Sequence, residues 1–170
     1  MNPREFDPSL FVKRGEEHPL SGTGLLELMQ AVLGKGVPFR FQSKGLSMQP
    51  FIREGDVVTV SPLRGAGLRV GDVVAYAALE AERVVVHRVI GRNGRDLLIK
   101  GDGNAGADGL IAETQILGRV TRVERDGRKV HLGLGPERWL IARLARSGLL
   151  WSYLLPAWQR FCSRTGGPQA

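Results

Sequence analysis

From Phe39 onward the chain breaks into short apolar runs separated by glycine-marked turns: "FRFQS", "DVVTV", "DVVAYAAL", "RVVVHRVIG", "DLLIK" and "QILGRVTRVERDGRKVHLG". Runs this short, rich in valine and isoleucine and bounded by turn residues, predict strands. The last run is divided by Asp126-Gly127, a dipeptide that accepts the positive φ angles of a two-residue hairpin turn. Six or seven strands follow, with no intervening segment long enough for a helical crossover. That pattern predicts a mainly β fold, a compact antiparallel and coiled sheet of barrel-like form.

The two ends have a different period. In "SGTGLLELMQAVLGKG" the residues Leu25, Leu28, Met29, Val32 and Leu33 fall at three- and four-residue spacing, with Ser21 or Thr23 as N-cap and Gly34 as the stop. This predicts one amphipathic helix packed on the sheet. The segment "GPERWLIARLARSGLLWSYLLPAWQRFCSR" predicts a second helix after Pro136, with Leu140, Leu144 and Trp151 on one side and Arg143 and Arg146 on another. Three regions are therefore expected: an N-terminal extension and helix (1–35), a β-rich domain (36–134) and a basic amphipathic helical tail (135–170). Two similar phrases, "REGDVVTV" and "RVGDVVAY", lie 16 residues apart. They read as two equivalent turn-to-strand entries, because two copies do not make a solenoid.

Composition narrows the class. A chain of 170 residues, 42% hydrophobic, suffices for one domain with a core. One cysteine and three scattered histidines give neither a disulfide framework nor zinc-ligand spacing, so no metal or cofactor is expected. Residues 119–170 carry ten basic and three acidic side chains, which accounts for the whole net charge of +7. The tail is thus the candidate for an anionic partner, its tryptophans among leucines and arginines suiting a membrane surface, and equally the candidate for a helix that caps the β-domain or makes a dimer contact. With aromatic residues at 6% and no stacking motif in the β-body, nucleic-acid recognition is not expected. The longest uncharged stretch, 147–159, falls short of the ~20 residues that cross a bilayer, so no transmembrane helix is expected. The leader "MNPREFDPSLFVKRGEEHPL" interrupts every apolar run, so it does not read as a secretory signal. Localisation is expected to be cytoplasmic, or peripheral on the cytoplasmic face of a membrane.

The candidate chemistry centres on Ser47 in "SKGLSMQPFIREGD", between a glycine that permits a bend and a proline that fixes the exit. A serine hydroxyl needs a base to become a nucleophile. His18 lies in the charged leader and His131 in the terminal hairpin, whereas His87 sits within the most apolar strand. An imidazole titrates near pH ~6.5 when unperturbed, which suits a general base at neutral pH.

Taken in order, "GLSMQPFIREGD", "VVVHRVIG" and "IKGDGNAGADG" resemble three boxes of the signal peptidase I superfamily of serine peptidases, over about residues 38–124. The histidine strand is similar to the branch in which histidine replaces a lysine base, found in endoplasmic-reticulum, archaeal and sporulation-associated enzymes. The resemblance implies Ser47 as nucleophile, His87 as general base and later acid, and Asp108 as orienting carboxylate, with Asp102 as the rival for that last role. It also implies cleavage of a polypeptide precursor or leader peptide, without a cofactor. Self-cleaving repressors share the catalytic fold but use a lysine base and a helix-turn-helix, neither of which is legible here. The alternative function is a non-catalytic module binding peptide or nucleic acid. Oligomeric state is not legible.

Overall fold

The computed structural model describes residues 22–149 other than 64, 66, 79 and 80, so His18, Ser21 and the tail tryptophans Trp151 and Trp158 lie outside the described residues. Helix α1 (Gly22–Gly34) occupies the predicted segment and buries Met29 and Leu33. It ends at Gly34, the stop expected from the sequence. The N–H groups of Lys35 and Gly36 bond to the carbonyls of Val32 and Leu33 at 3.1 and 2.9 Å. Gly36 takes φ 76, the left-handed conformation that ends helices and that a Cβ disfavours.

Eight strands follow: β1 (Phe39–Gln42), β2 (Val57–Ser61), β3 (Val73–Ala78), β4 (Arg83–Asn93), β5 (Asp96–Lys100), β6 (Gly109–Ala112), β7 (Ile116–Arg125) and β8 (Arg128–Lys129). The fold is mainly β, and every strand pairing is antiparallel. The ladder runs β1-β2-β7-β3-β4-β5-β6, with β8 as a hairpin partner of β7. This path is open, so the barrel-like closure expected from the sequence is not formed: β1 and β6 do not pair. Strand β6 escaped the sequence pattern because four residues, "GLIA", are too few to display a period. Asp126 and Gly127 adopt φ 50 and 73, as the predicted two-residue turn requires.

The 16-residue repeat has a structural cause. Asp56 and Asp72 are each 2% exposed, and each accepts the backbone N–H of the arginine three residues earlier, Arg53 at 2.8 Å and Arg69 at 3.0 Å. Gly55 and Gly71 supply the positive φ that closes each turn. The two turns launch β2 and β3, which flank β7, and β7 returns an arginine to each carboxylate: Arg125 to Asp56 at 2.7 Å and Arg119 to Asp72 at 3.7 Å.

One apolar cluster lies under α1, where Met29 and Leu33 meet Met48, Ile52, Val58 and Val60. A second joins Val74, Tyr76, Val89, Leu97 and Ile99. Each fully buried aliphatic side chain of this kind contributes about 1.5–3 kcal/mol. Helix α2 (Arg138–Arg146) packs on β4 through Ile141, Ala142 and Ala145, while Leu140 is 52% exposed. The expected apolar side, Leu140 and Leu144, is therefore not the buried one. Small alanines let the helix approach the sheet closely, and spacing alone does not say which of two apolar stripes does so. Among the described residues, no helix is long and apolar enough to cross a membrane.

Candidate active site

Ser47 begins a helical turn whose first bonds run from Gln49 N–H to the Leu46 carbonyl and from Ile52 N–H to the Met48 carbonyl, at 3.1 and 3.0 Å. Met48 and Ile52 are buried and pin this turn into the core below α1. The hydroxyl side of the turn is left facing β4. There His87, 6% exposed, is paired in register with Val74 of β3. Its Nε2 lies 2.8 Å from Ser47 Oγ.

The other ring nitrogen, Nδ1, contacts Asp108 Oδ2. Asp108 stands at the end of the loop from β5 to β6, and its N–H is fixed to the Ile99 carbonyl at 2.9 Å. Ser47, His87 and Asp108 are thus brought together from three separate segments. Two glycines of that loop make the approach possible. A Cβ on Gly101 would lie 2.6 Å from the Ser47 carbonyl oxygen and 2.9 Å from His87 Nε2, and one on Gly103 would lie 2.9 Å from the Leu46 carbonyl oxygen. Gly103 N–H also bonds to the Ser47 carbonyl at 2.8 Å, so the loop holds the serine turn directly.

Asp102 is placed elsewhere. It is 1% exposed and faces Arg88, itself wholly buried, with Nε 2.8 Å from Oδ1 and Nη2 2.7 Å from Oδ2. Arg88 Nη1 donates in addition to the carbonyls of Gly71 and Gly133, at 2.9 and 2.8 Å. Its guanidinium stacks 5.6 Å from the centre of the Phe51 ring in the serine turn. Adjacent residues of β4 therefore point to opposite faces: His87 to the serine hydroxyl, Arg88 to the carboxylate that ties the loop down. With both oxygens taken by Arg88, Asp102 does not contact the imidazole.

Tyr76 is a site residue that the sequence reading missed. Its hydroxyl donates to Asp108 Oδ2 at 3.1 Å, the same oxygen that meets His87. Burial, then the Asp108 charge and the bond to it, raise the phenol above its ordinary pKa, with Arg83 acting in the opposite sense. The phenol therefore remains a donor across the neutral range. The available signal was a lone hydroxyl-bearing ring in a run of small apolar residues, since a buried tyrosine hydroxyl usually finds a partner.

A cleft of about 440 Å³ opens over Ser47 and His87, lined by Lys44, Leu46, Tyr76, Val84 and Val86 among others. Residues 83–87 of β4 pair with β3 on one side only, because β5 joins β4 from Arg88 onward. Among the described residues that leaves a free strand edge along the cleft. The N–H groups of Ser47 and Met48 bond to no backbone carbonyl among the described residues. His131 is exposed, beyond β8 and apart from this cleft. Chemically, a hydroxyl with a base on it and a carboxylate behind the base is an arrangement able to form a nucleophilic alkoxide equivalent. The sequence matches no protein-family model and no curated protein.

Proposed function

We propose that this protein is a serine endopeptidase with a catalytic domain of the signal peptidase type, cleaving a precursor or leader peptide. The observation that carries the reading is the 2.8 Å contact of Ser47 Oγ with His87 Nε2, with Asp108 on the opposite ring nitrogen. The three sequence boxes described above supply independent support. Ser47 Oγ attacks the scissile carbonyl carbon as His87 Nε2 takes the hydroxyl proton. His87 then gives that proton to the leaving amine nitrogen as the C–N bond breaks, leaving an acyl ester on Ser47. Water, deprotonated by the same imidazole, releases the acid and restores the serine. Asp108 holds the ring in the tautomer that leaves Nε2 free to accept. The N–H groups at the head of the serine turn are the candidates for stabilising the oxyanion, where one donor contributes about 3–4 kcal/mol.

The substrate is an extended polypeptide. The edge of β4 at residues 83–87, unpaired among the described residues, offers backbone N–H and carbonyl groups to such a strand, as sheet edges do in peptide recognition. The test is labelling with a fluorophosphonate probe, together with cleavage of a peptide library, for wild type and Ser47→Ala. Labelling and cleavage are expected in the wild type and absent from the variant. A wild type that neither labels nor cleaves would favour a non-catalytic peptide-binding module on the same scaffold.

A further inference from the structure

Helix α2 turns an unusual set of side chains to solvent. On it Trp139 is 56% exposed and Leu140 52%, beside Arg143 and Arg146, and Leu149 beyond its end is 45% exposed. Arg143 lies over the Trp139 ring, 5.8 Å from its centre. Two grooves flank this tryptophan, of about 600 and 420 Å³, sharing Val70 in their linings and rimmed by Arg69, Arg138, Arg143 and Arg146. Among the described residues, no acidic side chain lines either groove. Arg138 is tied to Asp72 at 3.4 Å, whereas Arg69, Arg143 and Arg146 form no ion pair among the described residues.

We propose that this face of α2 and its two grooves dock on an anionic phospholipid surface. Charge decides between the possible occupants. Residues 150–170 contain no Asp or Glu, so that segment brings no counter-charge to the arginines. A second copy would set the same positive face against itself. Nucleic acid would satisfy the arginines but not the exposed leucines, whereas a lipid interface takes both: aromatic and aliphatic side chains enter the headgroup boundary and the arginines meet the phosphates. The helix is held firmly enough to present them, since Lys100 Nζ caps the Ala145 carbonyl at 2.9 Å and Glu137 Oε1 accepts Gly133 N–H at 2.7 Å.

The experiment uses the full chain and vesicles of phosphatidylcholine, alone or with about 30% phosphatidylglycerol to set a negative surface potential. All three tryptophans lie at or beyond position 139, so tryptophan emission reports the C-terminal part of the chain and not the β-body. Binding and a blue shift are expected on the anionic vesicles only, and weaken with added salt. Each basic residue at such a surface is worth about fivefold in affinity, so Arg143→Gln with Arg146→Gln should weaken binding about thirtyfold with an unchanged circular dichroism spectrum. Ser47→Ala should bind like the wild type, so this result stands apart from the peptidase reading. Equal binding to neutral vesicles, an unaffected double variant, or retention of RNA in place of vesicles would each overturn the proposal.

Discussion

Two aspartates six residues apart provide the sharpest test of how this site is built, because the structure gives them opposite jobs. Asp102→Asn removes the charge facing Arg88, which is 0% exposed, and leaves its guanidinium one neutral amide oxygen in place of a carboxylate, beside the carbonyls of Gly71 and Gly133. Breaking a buried pair from one side costs about 3–5 kcal/mol, because the remaining ion is desolvated without compensation. For a domain of this size, about 1 kcal/mol moves the melting temperature by 2–4 °C, so a fall of roughly 10 °C is expected. Asp108→Asn is different: its side chain is 20% exposed and its loss leaves no buried cation behind. The fold should hold to within about 1 kcal/mol, as is usual away from buried charges. Chemistry should fall by about 10⁴-fold, the typical cost of losing the carboxylate behind a catalytic histidine. Thermal unfolding followed by circular dichroism reads the first effect, and the rate of fluorophosphonate labelling at Ser47 reads the second. If Asp102→Asn melts like the wild type while Asp108→Asn labels normally, the division of labour argued from these contacts is wrong.

Three further outcomes follow from single contacts. Tyr76→Phe removes a bond to a charged acceptor, worth about 1.5–3 kcal/mol in general, and should slow labelling about tenfold. Because the Tyr76 phenol is raised above its ordinary value, its contribution holds below pH ~10 and fades only above it, so the slowing should be uniform from pH 6 to 9; a ratio that varies with pH in that range would contradict it. Gly101→Ala places a methyl 2.6 Å from the Ser47 carbonyl oxygen. Displacing the serine by even ~1 Å should cost about 10²-fold in labelling, with a lower melting temperature as the second readout. Burial would raise the Glu137 carboxyl, but the N–H groups of Glu137 itself, Gly133 and Gly135 together hold it below its ordinary value. A depressed folded value adds stability above the unfolded carboxylate range that is lost as pH falls through the folded one. Acid titration of Glu137→Gln, followed by melting temperature, should therefore show a shallower decline below pH ~4.5 than the wild type; parallel curves would remove Glu137 from the account.

The mainly β character and most of the strands were legible from residues alone, because valine-rich runs between Gly-Asp and Asp-Gly turns permit few alternatives. So was the α1 segment, whose apolar positions repeat at the helical period. The contacts that separate Asp108 from Asp102 were not legible. Both lie in one glycine-rich loop, and only the fold reveals that consecutive residues of β4, His87 and Arg88, face opposite ways and each claims one of them. Tyr76 was hidden for the same reason, since it meets Asp108 across 32 residues of sequence. The open sheet and the buried stripe of α2 were likewise decided by tertiary packing. Local sequence sets turn angles and periodicity, which are short-range properties of the backbone. Which polar groups meet is set by long-range register and by close approaches at Gly101 and Gly103, and no stretch of chain carries that information by itself.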